Sequence, residues 1–483
     1  MRSWWNASLH SHAPAGNLAI SMKARISSPA GHHSSRRITG LETEYGCLVE
    51  PPLQVSSVIA AVRDWIFKEH RHGLIDRHDR DWDEPKGNGG FLFNGGRAYL
   101  DMGHLEYCTA ECGTTVDVVR YDQAGDRLLN KALEELGLDH QASFIRNNVD
   151  HYTGATFGCH ENYSLLRTAP LTQRNVLSLL SFLTLRALYA GAGRVGRPTH
   201  LRSPQMEIQQ DPQVRFHVTQ RADYIQNDFF EWVQHNRAII NTRDEPLADP
   251  RQYRRLHLIH GDTNVLPSAL FLKVGSTRLV FDLLEQDALP GLMLMDAVET
   301  LRQISRQPAP PWLIRLADGS QADALEALQL YLAAAKHQLK GRDPETDAVL
   351  LLWERSLAAL ERNPLALVGQ VDWITKKYLL EMFCEKEGIT WDDPWLESQD
   401  LEYHSIDPTR SLALPLADME GPWGLPTTSD SLAEPPMDTR ARVRSKLMHE
   451  IREQGVGYEL DWDSVQIEER QRIWLMDPLR AVL

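Results

Sequence analysis

The feature that most constrains this 483-residue chain is a strand-like alternation that keeps its charge on one side. In Gly40-Leu41-Glu42-Thr43-Glu44-Tyr45-Gly46 the period of two puts Glu42 and Glu44 on one face, about 7 Å apart. In Arg97-Ala98-Tyr99-Leu100-Asp101 the same period groups a cation, a phenol and a carboxylate opposite Ala98 and Leu100. Strands are predicted over residues 38–48, 91–102, 254–260 and 277–284. Helical spacing marks residues 56–69, 115–136, 176–189 and 373–387, and helices dominate 321–360. A charged, Gly-rich loop is expected over 70–90. Strands in blocks with separate helices predict an α+β fold rather than an alternating parallel one.

The expected division is a leader over 1–35 with Met22 as an alternative start, a main domain over 36–410, a Pro-rich connector over 411–437 and a small domain over 438–483. The small domain is read as a basic helix and two short strands. Lys plus Arg number 51 against 66 Asp plus Glu, a net charge of −15. That balance argues against duplex nucleic-acid binding, which needs a basic surface. The most apolar window, 175–190, is interrupted by Arg186 and is too short to cross a membrane. Five scattered cysteines make no disulfide framework, which suits a reduced, cytoplasmic protein.

Glu42 and Glu44 have no obvious basic partner nearby in sequence. They are either a solvated edge face or part of an oxygen-only cation site, which would favour Mg²⁺ or Mn²⁺ over zinc. Arg97 has the fork geometry for phosphate oxygens, and Asp101 could take a proton from an attacking amine. An exposed Arg–Asp pair would be the plainer alternative. Cys159-His160-Glu161-Asn162 lacks the second His of a zinc helix, and Cys108-x-x-x-Cys112 lacks ribbon spacing, so structural thiols are expected at both. Residues 241–246, 254–257 and 261–264 read as a polar rim facing a ligand, or as loop salt bridges. Residues 191–196 match G-x-G-x-x-G, but a helix precedes them and Arg197-Pro198 follows, which excludes dinucleotide geometry.

Taken together, these motifs resemble the ligase/deamidase family of Pup, the prokaryotic ubiquitin-like modifier. That family shares the glutamine synthetase-like fold. The resemblance runs from about 36 to 482 and is carried by Arg36-Arg37-Ile38-Thr39 into residues 40–46, by Phe157 to Tyr163, by Ile239 to Pro246 and by Tyr253 to His257. It implies an ATP- and Mg²⁺-dependent site in a curved antiparallel cradle flanked by helices. By motif position, Glu42, Tyr99 and Glu106 would hold metal, with Glu44 a further metal or outlying carboxylate. Arg97, Thr109 and Trp462 would contact ATP, and Asp101 would be the catalytic base.

The family's ligase phosphorylates the modifier's C-terminal Glu side chain and joins it to a lysine of a substrate protein. Its deamidase branch hydrolyses a C-terminal Gln amide or the isopeptide. The compact link over 47–93, together with Tyr99-Leu100-Asp101, Thr109-Ala110-Glu111-Cys112 and Thr439-Arg440-Ala441-Arg442, looks ligase-like. The Asp101-to-Glu106 spacing, one residue short of the ligase pattern, looks deamidase-like. So do Gly193-Arg194-Val195-Gly196 and Trp462-Asp463-Ser464-Val465. Leu105 replaces an expected Pro and Gly96 an expected Ala. The ligase is favoured because a missing loop outweighs a few side chains; a small-molecule carboxylate–amine ligase and a silent binding homologue are further alternatives. The expected partners are a Pup-like modifier ending in Glu or Gln and lysine-bearing proteins. Arg440, Arg442 and Arg444 are candidates for the edge of a modifier groove, or for a solvated helix face.

Overall fold

The computed structural model describes residues 36–81, 84–150, 156–196, 214–231, 237–424 and 430–482. The expected leader with Met22, and Arg197-Pro198, lie outside the described residues. The first strand, β1 (Thr39–Val49), follows directly from the alternation: Leu41, Thr43 and Tyr45 are buried while Glu42 and Glu44 are only half-buried. After it come helix α1 (Val55–Phe67), the strands β2 (Gly73–Ile75), β3 (Gly89–Leu92), β4 (Arg97–Asp101) and β5 (His104–Cys108), and helix α2 (Thr115–Leu136). Next are β6 (Ala142–Ile145), β7 (Cys159–Leu166), α3 (Gln173–Leu185), α4 (Ala187–Ala190) and the small pair β8 (Arg194–Val195) and β9 (Phe216–His217). β10 (Asn227–Phe230), β11 (Ala238–Asn241) and β12 (Tyr253–Leu258) complete the strands that build the main sheet.

That sheet has the order β10-β11-β12-β7-β1-β5-β4-β3-β2, with β6 pairing the far half of β1. Every pair is antiparallel except β10 with β11. The register is what positions the site. Glu44 stands opposite Glu106, Glu42 opposite both Cys108 and His160, Tyr99 opposite Glu106, and Asp101 opposite His104.

Helices cover the other side: α5 (Pro267–Glu285), α6 (Ala297–Ser305), then, after the hairpin β13 (Leu313–Arg315) and β14 (Gln321–Asp323), α7 (Ala324–Leu339) and α8 (Pro344–Arg362). They are followed by α9 (Asp372–Glu387) and α10 (Trp395–Tyr403). The chain is thus α+β, as expected. One large apolar cluster joins α3, α5, α7 and α8 to the inner residues of β7 and β12. The β-like stretch expected at 277–284 is instead the last half of α5. Nearly every residue of α5 is buried, so its apolar residues show no single helical face and their β-branched members mislead. Residues 91–102 are two strands rather than one, because Asn94-Gly95 makes a hairpin turn with Gly95 at φ 88°. The loop expected over 70–90 contains β2.

At the C-terminal end, α11 (Arg440–Gln454) is followed by three strands, β15 (Tyr458–Leu460), β16 (Ser464–Ile467) and β17 (Ile473–Trp474), where two were expected. Val443, Leu447, Met448, Leu460 and Val465 share one apolar cluster with Leu74, Phe91 and Phe93 of β2, β3 and the turn after it. The preceding Pro-rich stretch is pinned too. The Trp423 ring packs 5.1 Å from Phe271. Asn94 donates to the Ser431 carbonyl at 2.9 Å, and Tyr121 to that of Glu434 at 2.7 Å.

Candidate active site

On the polar face of the sheet, β1, β4 and β5 bring Glu44, Asp101 and Glu106 together, with one carboxylate oxygen of each within 4.8 Å of the others. Tyr99, the register partner of Glu106, donates its hydroxyl to Glu106 Oε1 at 2.6 Å. Glu106 is 3% exposed. Burial first, and then the charges of Glu42, Glu44 and Asp101, push its carboxyl well above the usual range despite the Tyr99 bond. Three acidic groups packed so closely are relieved by a retained proton or by a bound cation, and an all-oxygen set suits a hard divalent one. Gly158 makes the arrangement possible: a Cβ there would lie 2.6 Å from Glu44 Oε1 and 2.8 Å from His160 Nε2.

Glu42 belongs to a neighbouring group of different chemistry. Its ligand atom and those of His160 and His257 also lie within 4.8 Å of one another. His160 Nδ1 is 3.0 Å from Oε2, while Asn162 donates to Oε1 at 2.8 Å and Arg255 at 3.3 Å. Burial would raise the Glu42 carboxyl, but the His160 hydrogen bond and then the Arg255 charge outweigh it and hold it well below the usual range. Burial, reinforced by Arg255, keeps His257 far below its ordinary value, so its imidazole is neutral. This nitrogen–oxygen set could also hold a cation. The expectation that both glutamates lack basic partners therefore fails for Glu42. Its partners come from β7 and β12, 118 and 213 positions away. The period of two within His160-Glu161-Asn162 and Arg255-Leu256-His257 carried the signal that could have found them.

A cavity of about 220 Å³ opens beside these groups, lined by Glu42, Arg97, Tyr99, Thr109, Trp462 and Arg255 among others. Arg97 is buried, lies 4.2 Å over the Tyr99 ring and pairs with Asp76 at 3.0 Å and Glu84 at 2.6 Å. Sequence reasoning missed both of those acidic partners, which sit in the loop that precedes β3. Thr109 Oγ1 accepts from Leu41 N at 3.0 Å and donates to the Ala110 carbonyl at 3.1 Å. Trp462 stands edge-on to Phe91 at 5.0 Å, with the Arg444 guanidinium 4.9 Å over its ring.

Arg440 and Arg444 are buried rather than on a solvated face, and Arg440 lines the cavity. They are one helical turn apart on α11, and both bind Glu111, Arg440 at 2.7 Å and Arg444 at 2.6 Å. Burial would raise Glu111, but Arg444 and then Arg440 hold its carboxyl down at about 2. Arg444 also donates to the Trp462 carbonyl at 2.9 Å, which ties α11 to the cavity wall. Only Arg442 of the three is exposed.

The expected polar rim divides in two. Glu245, Arg254 and Arg255 do line the cavity. Residues 262–264 are buried supports: Asp262 accepts from Ala192 N at 2.8 Å and Gln220 N at 2.9 Å, and Asn264 donates to Asp372 at 2.9 Å. The G-x-G-x-x-G match runs from α4 into β8, so a strand, not the helix of a dinucleotide fingerprint, follows its first glycines. Cys108, Cys112 and Cys159 are buried and Cys47 and Cys384 half-buried, all five as free thiols.

Comparison with known proteins gives a consistent result. The family described as Pup-ligase protein matches residues 37–466. A Pup–protein ligase of Corynebacterium glutamicum (strain R) is 34% identical over 476 residues, covering 93% of this chain and 94% of that protein. One from Mycolicibacterium gilvum is 33% identical over 467 residues, 92% of this chain and 97% of its own. The solved complex of the prokaryotic ubiquitin-like protein Pup with its ligase PafA matches with a TM-score of 0.77 at 31% identity, covering 93% of this chain and 89% of that one. The Pup ligase PafA in complex with ADP matches with a TM-score of 0.72 at 34% identity, covering 83% and 89%.

Proposed function

This chain belongs to the Pup-ligase family, and from that premise we propose that it uses ATP to join the C-terminal Glu side chain of Pup to a lysine of a substrate protein. The observation that carries this reading is the division of labour along β4. Arg97, at one end of the strand, lines the cavity with Thr109 and Trp462. Asp101, at the other end, sits with Glu44 and Glu106.

In the proposed sequence, the carboxylate of the modifier's terminal Glu attacks the γ-phosphorus of ATP, giving an acyl phosphate and ADP. The lysine amine then attacks the acyl carbon and phosphate leaves. Asp101 removes a proton from the incoming ammonium so that a lone pair is free. Arg97 presents its guanidinium to phosphate oxygens, with Thr109 and Trp462 shaping the nucleotide wall. Glu44, Glu106, Glu42 and Tyr99 are the groups that would hold Mg²⁺. When bound, that ion would neutralise phosphate charge as it is transferred.

In this reading residues 36–410 carry the chemistry, 411–437 tie the chain back across the sheet, and 438–483 supply Trp462. The five free thiols support a reducing, cytoplasmic setting. Among the described residues no helix is long and apolar enough to cross a membrane.

The test is incubation with ATP, Mg²⁺, a lysine-bearing acceptor and Pup ending in either Glu or Gln. ADP and a lysine adduct from the Glu form are expected. Ammonia released from the Gln form without net ATP turnover would instead establish the deamidase. The tight Asp101–His104 turn, which sets the short Asp101-to-Glu106 spacing, favours that second reading.

A further inference from the structure

The turn between β4 and β5 breaks two local rules at one residue. Asp101 pairs with His104, so the loop holds only Met102 and Gly103. Both are left-handed, Met102 at φ 44° and Gly103 at φ 92°. A two-residue turn of this kind favours Asn or Asp before Gly, because the first side chain must tolerate positive φ. Methionine has no polar group to stabilise that conformation. Met102 is also 71% exposed, the most of any large apolar side chain among the described residues. A strained and exposed apolar residue costs the fold twice, and such violations collect where function compensates for them.

Its position says what that function is. Met102 directly follows Asp101, so their Cα atoms are about 3.8 Å apart. The nucleotide end of β4 is closed in by Thr109 and Trp462, whereas the turn is the strand's free end. A lysine bringing its amine to within about 3 Å of the Asp101 carboxylate over this end carries its own protein surface onto the turn. We propose that Met102 is a contact for the acceptor protein, packing against apolar surface beside the target lysine and so helping to determine which lysines are used. An unbranched thioether adapts to many partner shapes, which suits acceptors that have a lysine in common and little else. This rests on the ligase reading above.

The experiment compares Met102→Asn and Met102→Leu with the wild type, using ATP, Mg²⁺, Pup ending in Glu, and two nucleophiles: a folded lysine-bearing protein and Nα-acetyl-lysine. Met102→Asn creates the Asn-Gly pair that such a turn favours, so its melting temperature should not fall, and a functional loss cannot be assigned to unfolding. We expect its KM for the folded acceptor to rise about fivefold or more, with turnover of Nα-acetyl-lysine held within about twofold and Met102→Leu close to wild type. An unchanged acceptor KM in Met102→Asn overturns the proposal. A parallel loss with Nα-acetyl-lysine also overturns it, since the turn would then be acting by placing Asp101. If the wild type forms no adduct with either nucleophile, the ligase reading itself fails and the acceptor contact with it.

Discussion

Glu106 and Glu111 are five positions apart and both buried, yet the protein treats them in opposite ways. Glu111 accepts from two guanidinium groups of α11, which hold its carboxyl down at about 2. Glu106 faces Glu44, Asp101 and Glu42, and with burial they push it up. The first charge is answered by the chain itself, as is Glu161, held by Arg186 at 2.6 Å. In the proposed reaction the second is left for a bound cation to answer. A buried carboxylate paired within the protein is a fastening, and one crowded by its own kind is a receptor.

The largest effect should come from the receptor side. Asp101→Asn should lower isopeptide formation by about 10²–10⁴-fold while the Kd for nucleotide, measured by titration calorimetry, changes little. Full activity in that variant would remove Asp101 from the chemistry. On the fastening side, Glu111→Gln leaves Arg440 and Arg444 buried with their partner's charge gone, and should cost about 3–5 kcal/mol in urea unfolding. A loss below about 1 kcal/mol would put Glu111 on a par with a surface pair.

The same residue should shape acid unfolding. Its folded value lies below the ordinary 4.5, so its contribution is complete above that value and is lost as the pH falls towards about 2. Glu111→Gln should therefore flatten stability against pH in that window, by about 3 kcal/mol at most. The smallest stability change is expected for Glu106→Gln. Without divalent ions this variant should be as stable as the wild type or slightly more so. Because the folded Glu106 value is raised, the wild type loses stability as the pH climbs above 4.5, and the gap to the variant should widen. Mg²⁺ should raise the wild-type melting temperature and leave that of the variant nearly unmoved; equal shifts in both would break the comparison.

The alternation at 40–46 and 97–101 was legible because it is local, and the sheet register keeps Glu44, Tyr99, Asp101 and Glu106 as neighbours on one face. Asn94-Gly95 was legible as well but was read as part of a strand. The partners of Glu42 were not, since β7 and β12 reach it only through the order of the sheet. Helix α5 was misread because burial on all sides erases periodicity. Arg440 and Arg444 were misread because alternate spacing suggested a charged face, when on a helix their separation of four aims both at one buried acid.

One consequence follows from the cavity wall. Its lining runs from Ile38 and Gly40 to Trp462 and Pro478, nearly the whole described chain. At roughly 5–20 residues per second, the ribosome needs on the order of 20–80 s between the first wall and Trp462. Until then Phe91 and Phe93 lack the α11 side chains that cover them. The nascent sheet therefore cannot complete its cavity, and leaves these rings uncovered, until the last part of the chain emerges.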